Sequence, residues 1–104
     1  MKQIPFTTIR ALHQQLKPGS PWFDAGAISF FRTVLPQYGF EVRGGFAFVT
    51  AETSLSGEKR FSVRYLHSTT GGIETLGGFH HFPSQRAATA RIQGLVDELL
   101  KEPA

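Results

Sequence analysis

Arg60 and Arg64 sit four positions apart in the run Arg60-Phe61-Ser62-Val63-Arg64-Tyr65, which alternates polar and apolar residues. In an extended strand that spacing puts both guanidinium groups on one side and Phe61, Val63 and Tyr65 on the other. Arg43, on a preceding strand, can join them. A planar guanidinium fork suits phosphate or carboxylate better than a lysine does, so this row predicts phosphate-positioning contacts on a sheet surface. The plainer alternative is a solvated face on which the arginines pair with Glu41, Glu52 or Glu74 across strands. A second cluster opens the last helix. Ser84, Gln85 and Arg86 occupy its cap and first turn, where free backbone N–H groups attract anions. A cation there opposes the helix dipole, so Ser84 and Arg86 complete a candidate phosphate seat, with His80 and His81 nearby.

Catalytic constellations do not assemble. The four histidines are His13, His67, His80 and His81, and there is no cysteine. Adjacent His80 and His81 point to opposite sides of an extended chain, and no histidine pair has helical zinc spacing. The pairs Gly44-Gly45, Gly71-Gly72 and Gly77-Gly78 fall within or between strands, as hairpins and bulges require. No serine has a nucleophile-elbow context, and the eight acidic residues are scattered. The expectation is a binding domain, not an enzyme, with no metal site and no cofactor.

The elements follow from periodicity and breakers. Thr7–Leu16 reads as a helix capped by Thr7 or Thr8, with Ile9, Leu12 and Leu16 on one face. Lys17-Pro18-Gly19-Ser20-Pro21 interrupts the chain. Asp24 then caps a helix over Ala25–Leu35, with Phe23 and Ile28 at hydrophobic-staple spacing. Four strands are expected at Tyr38–Arg43, Phe46–Thr53, Arg60–His67 and Ile73–Phe79. The second is apolar on both faces near its start and so central. Ser84–Lys101 reads as an amphipathic helix with Ala88, Ile92, Leu95, Val96 and Leu99 in one stripe. Gly94 inside it marks an expected close approach to the sheet. The predicted class is α+β: two N-terminal helices, a four-stranded antiparallel meander, and a C-terminal helix on one sheet face.

Composition bounds the reading further. A chain of 104 residues is expected to form one domain that buries roughly two-thirds of the surface of its unfolded form. The formal net charge is +3, and seven of the 11 basic residues are arginine. This modest excess raises the expectation of an anionic partner. No apolar run approaches the roughly 20 residues of a membrane helix. The N-terminus lacks the apolar core of a signal peptide, and cysteine is absent. A soluble, full-length cytoplasmic protein with no membrane partner is expected.

Several resemblances rest on particular residues. Gly45-Phe46-Ala47-Phe48-Val49 looks like the centre of the RNP1 strand of RNA-recognition motifs. The order of elements differs from that family, so Phe46 and Phe48 read as core. Arg60–Tyr65 followed by His81-Phe82-Pro83-Ser84-Gln85-Arg86-Ala87-Ala88-Thr89-Ala90 resembles the sheet-plus-helix arm-binding domain of tyrosine recombinases. The same segment resembles the double-stranded RNA-binding domain. Both imply nucleic-acid contacts. Pro21-Trp22-Phe23, Phe30-Phe31, Phe48-Val49-Thr50-Ala51-Glu52, Arg60-Phe61-Ser62-Val63-Arg64 and Ile73-Glu74-Thr75-Leu76-Gly77 resemble small proteins carried by phages, plasmids and integrated elements. That likeness implies a regulatory or anti-defence accessory.

The leading expectation is a non-catalytic protein that engages nucleic acid through Arg43, Arg60, Arg64, Ser84 and Arg86. The alternative is a protein-binding anti-defence inhibitor, for example of a CRISPR or other host nuclease complex, using Trp22, Phe23 and Tyr38. A homodimer closed through the sheet is the third. The leading expectation depends on the arginine row facing outward.

Overall fold

The computed structural model describes residues 1–19, 22 and 25–101. Five strands and three helices follow in the order β1 (Lys2–Pro5), α1 (Phe6–Leu16), α2 (Ala25–Phe30), β2 (Tyr38–Val42), β3 (Gly45–Thr53), β4 (Lys59–Leu66), β5 (Ile73–Leu76) and α3 (Gln85–Leu99). The strands form one antiparallel sheet in the order β1-β2-β3-β4-β5. The α+β class, the meander, the central β3 and the terminal helix agree with the sequence pattern.

Several elements differ from expectation, and the two N-terminal helices follow a strand instead of opening the chain. The sheet has five strands instead of four, because Lys2–Pro5 pairs with Tyr38–Glu41. Pro5, with φ −61° and ψ 140°, then leads directly into α1, which starts at Phe6 without a side-chain cap. Neither Thr7 nor Thr8 caps it. The second helix is shorter than predicted and ends at Phe30, because Arg32 turns left-handed at φ 50°. The chain beyond it runs along the edge of β3. There Thr53 N–H donates to Phe31 O at 2.8 Å, and Val34 exchanges bonds of 2.8 and 3.1 Å with Ala51. β2 pairs only with the Gly45–Ala47 end of β3, so this segment satisfies backbone groups that would otherwise lack partners. β5 stops at Leu76, short of Phe79, because Gly77, Gly78 and His80 all take positive φ. The proposed Asp24 cap and the Phe23 end of the staple lie outside the described residues.

Both faces of the sheet are buried. On one, Val42, Ala47, Val49, Val63, Tyr65 and Leu76 pack under Ala88, Ile92 and Val96 of α3. On the other, Phe48 and Leu66 pack under Phe6 and Ile9 of α1, with Trp22 and Leu35 at the margin. The turn joining β2 to β3 is Arg43-Gly44, at φ 52° and 79°. Two consecutive positive φ angles match the primed turns that fit strand twist. Gly45 follows as a close-approach residue, since a Cβ there would lie 2.2 Å from the Tyr65 hydroxyl. That hydroxyl donates to Val42 O at 3.1 Å, and burial pushes the Tyr65 phenol above its usual pKa.

α3 is capped by Ser84, whose hydroxyl accepts from Ala87 N–H at 3.1 Å. Its buried stripe is Ala88, Ile92 and Val96. Gly94 does not approach the sheet: it is exposed, and a Cβ there would meet nothing within 4 Å. Gly94→Ala is therefore expected to raise the unfolding free energy by about 1 kcal/mol, the helix-propensity difference, as read by urea denaturation.

His13 lies on the buried side of α1, its ring edge-on to Trp22 at 4.8 Å. Its Nδ1 has no hydrogen-bond partner among the described residues. Burial, with a smaller contribution from Lys17, lowers its pKa from the ordinary value. A base with a depressed folded pKa is protonated more readily in the unfolded chain. Its contribution to stability is therefore whole above about pH 6.5 and falls as the pH drops from there toward the folded value. His13→Leu should flatten the stability–pH curve below about pH 6.5 relative to the parent. Parallel curves for the two proteins would refute the assignment.

Candidate nucleic-acid interface

The arginine row does not face solvent. Arg64 is 4% exposed and Glu52 is 0% exposed. In register, Arg64 stands opposite Phe48, Ser62 opposite Thr50, and Arg60 opposite Glu52. Arg64 lies along the strand past Thr50, and its Nη2 reaches Glu52 Oε1 at 2.7 Å. Arg64 Nε donates to Thr50 Oγ1 at 3.2 Å, and its Nη1 to Thr75 Oγ1. Glu52 also accepts from Thr50 Oγ1 at 2.7 Å and from Ser62 Oγ at 3.1 Å. His80 N–H donates to Ser62 Oγ at 2.7 Å. Phe79 covers the guanidinium of Arg64 at 5.3 Å and meets Phe31 at 5.1 Å. The polar half of this sheet face is thus a closed network under aromatic cover, and Arg64 is not available to a partner.

The remaining arginines of the row are dispersed. Arg60, directly across from Glu52, instead donates Nε to His80 O at 3.1 Å, Nη2 to His81 O, and Nη1 to Glu58 Oε1 at 3.2 Å. It ties the Phe79–Phe82 segment to the start of β4. Arg43 lies in the β2–β3 turn and pairs with Asp97 at 3.1 Å, both side chains about half exposed (49% and 48%). The sequence expectation that Arg43, Arg60 and Arg64 share an outward surface is corrected on these grounds. Glu52 is a partner, as the plainer alternative held, but for Arg64 inside the structure instead of on a wetted face.

The candidate phosphate seat on α3 and Tyr38 of the proposed protein interface come together elsewhere. α3 packs over β4, β3 and β5, so the β1–β2 side of the same sheet face is left partly open. A groove of about 520 Å³ lies there, lined by Gln3, the Val34–Tyr38 segment, Phe40, Val49, Ala51, Lys59, Phe61, Gln85 and Thr89. Its floor is apolar, and among the described residues three glutamines and no carboxylate line it. A shallower depression lined by Gln85, Arg86, Thr89 and Ala90 shares Gln85 and Thr89 with it. Arg86 is exposed beside the mouth, and the first turn of α3 has no acidic residue. Ser84 contributes its cap, not a free hydroxyl.

Of the proposed protein-contact residues, Tyr38 is 52% exposed on the groove wall. Trp22 is half-buried against Phe6, His13 and Phe48, with Arg10 over its ring at 5.5 Å. Phe23 lies outside the described residues. Sequence reasoning missed Gln3, Val34, Gln37, Phe40, Lys59 and Thr89. The pairing of Tyr38 with Phe40 at alternate positions, on the face opposite Glu41, was the available signal.

Among the described residues no group of three or more histidine, cysteine, aspartate or glutamate side chains is placed to hold a metal. No helix among them is long and apolar enough to cross a membrane. A family model, described as a family of unknown function (DUF7447), matches residues 6–93. The chain belongs to the DUF7447 family. No curated protein and no solved structure matches it. The DUF7447 span takes in α1, the four strands β2 to β5 and α3 as far as Gln93, hence every groove residue except Gln3.

The buried pair is accessible to a direct test. Removing one partner of a buried ion pair leaves an uncompensated charge, at a cost of about 3–5 kcal/mol. Arg64→Met should lower the unfolding free energy by about that amount, while Arg60→Met, whose partners are partly exposed, should cost less. Adding Glu52→Leu to Arg64→Met should restore part of the loss. An additive double mutant in denaturation experiments would show that the two groups are not coupled.

Proposed function

We propose that this domain is a non-catalytic nucleic-acid-binding protein that uses the groove between α3 and the β1–β2 side of the sheet, with Lys59 and Arg86 as its phosphate-contacting cations. The observation that carries this reading is the lining itself: an apolar floor with aromatic residues, glutamine amides, Lys59 in the lining and Arg86 in the adjoining depression, and no carboxylate among the described residues. Nucleic acid presents complementary chemistry, with flat apolar base faces, hydrogen-bonding base edges and anionic phosphates. The net charge of +3 favours encounter with such a polyanion. A mobile-element setting and a cytoplasmic location are consistent with this use.

A second reading is favoured by the exposed apolar residues of the open strip, Val34 at 59% and Tyr38 at 52%. They suit a protein partner that supplies the helix missing beside α3, in the manner of an anti-defence inhibitor or a second copy of the chain. Light scattering distinguishes a self-associating strip from a monomeric one.

Binding of fluorescent DNA and RNA oligonucleotides across a salt series tests the leading reading. Affinity should fall steeply with salt, and Lys59→Ala and Arg86→Ala should each weaken binding of all sequences alike and reduce the salt slope by about one. Arg43→Ala, at the far end of α3, should change little. Absence of binding at low salt would remove the proposal.

A further inference from the structure

Resting on the nucleic-acid reading, we infer that the groove is built for unpaired bases of a single strand, with Tyr38 as the stacking platform. Tyr38 and Phe40 are alternate residues of β2 and line the same groove. Alternate side chains on a strand stand roughly 7 Å apart, the separation of bases splayed along an extended single strand. Phe40 is partly buried against the α3-side core, whereas Tyr38 is 52% exposed. Tyr38 therefore offers an exposed ring, and Phe40 with Phe61 forms the floor beneath.

The dimensions exclude a duplex from the floor. A volume of about 520 Å³ accommodates one or two nucleotides, while a double helix keeps its base faces stacked inside and presents only phosphates, sugars and groove edges. An unpaired base can enter with its face on Tyr38 and its edge toward the amides of Gln3, Gln37 and Gln85, each of which both donates and accepts. The adjoining phosphates then pass the first turn of α3, where Arg86 is exposed and the backbone N–H groups of Gln85 and Arg86 have no intrahelical acceptor. Lys59, whose ammonium lies 5.8 Å from the Phe61 ring centroid, also lines the groove. Aromatic floor, amide rim and flanking cations are the parts of sequence-tolerant single-strand sites.

Fluorescence anisotropy with a labelled ten-nucleotide dT oligomer, a hairpin duplex of equal charge and free thymidine monophosphate as competitor tests the inference. The oligomer should bind at least tenfold more tightly than the duplex. Tyr38→Ala should weaken its binding roughly 5- to 100-fold, the range for loss of one stacked base, and leave the salt slope unchanged. Tyr38→Phe, which keeps the ring, should retain parental affinity. Equal affinity for duplex, together with a neutral Tyr38→Ala and an active Arg86→Ala effect, would overturn the single-strand inference and leave nucleic-acid binding standing. Competition by the mononucleotide at a concentration matching the oligomer would overturn it in favour of a free nucleotide. No binding of any probe would remove both. Tyr38 is half exposed, and unchanged thermal unfolding of Tyr38→Ala confirms that a loss of affinity is not a loss of fold.

Discussion

The buried contact between Glu52 and Arg64 constrains the rest of the molecule. Two opposite charges are closed inside a sheet face, and charges taken from water are tolerated only when their remaining hydrogen-bonding positions are filled. Thr50 and Ser62 fill those of Glu52, and Thr50 and Thr75 engage Arg64. These residues come from three neighbouring strands, so a shift of one strand by one residue would break the set and invert every side chain on it. The network fixes the register of β3, β4 and β5 at once. It also explains the cover above it. Phe79 and Phe31 screen the guanidinium, and His80 is held at a positive φ of 58° by bonds to Ser62 and to Glu52 O, at 2.7 and 3.0 Å.

With that face closed, the open apolar surface lies on the opposite one. A five-stranded sheet spans about 19 Å across its strands, four spacings of roughly 4.8 Å, whereas a helix with its side chains covers roughly 10 Å. α3 alone cannot cover such a face. It lies over β4, β3 and β5, and the β2 end of the face stays partly open, with Tyr38 exposed and Phe40 half-buried. The groove is thus a consequence of one helix on a five-stranded sheet, and the fifth strand, β1, makes it wide.

Much of the fold was legible because its signals are local. The alternation at Phe61, Val63 and Tyr65, the glycines of the β2–β3 turn, and the spacing of Ala88, Ile92 and Val96 each state an element by themselves. β1 was not legible, because four residues ending in proline carry no period and are held by pairing with β2. α2 ended early for a tertiary reason, the demand of the β3 edge for partners near Phe31 and Val34. The arginine row was misread because polar alternation ordinarily means a wetted face. Thr50 and Glu52 lie opposite Ser62 and Arg60 in register, a polar patch with matched acid and base on neighbouring strands. Such a patch can close on itself, and only the register shows that it does. The groove was invisible for a related reason: its lining comes from five separated segments, one of them the unrecognised β1.

The open strip could be dismissed as imperfect packing if α3 were free to slide over it. It is not, because both ends of the helix are anchored. At the N-terminal end, Phe82 lies two residues before the Ser84 cap and exchanges backbone bonds of 2.8 and 2.9 Å with Phe61 of β4. Near the C-terminal end, Asp97 pairs with Arg43 of the β2–β3 turn, and Leu99 and Leu100 pack on the core between them. The exposed ion pair adds little energy by itself, but with the apolar packing it fixes a direction. Moving α3 toward β1 would withdraw Ile92 and Val96 from Val63 and Tyr65, uncovering more apolar surface than it would hide. The groove therefore keeps its width without a ligand. A site that need not reorganise would lose less affinity to ordering, which supports the proposal that this apolar strip, with Lys59 and Arg86 beside it, takes a partner.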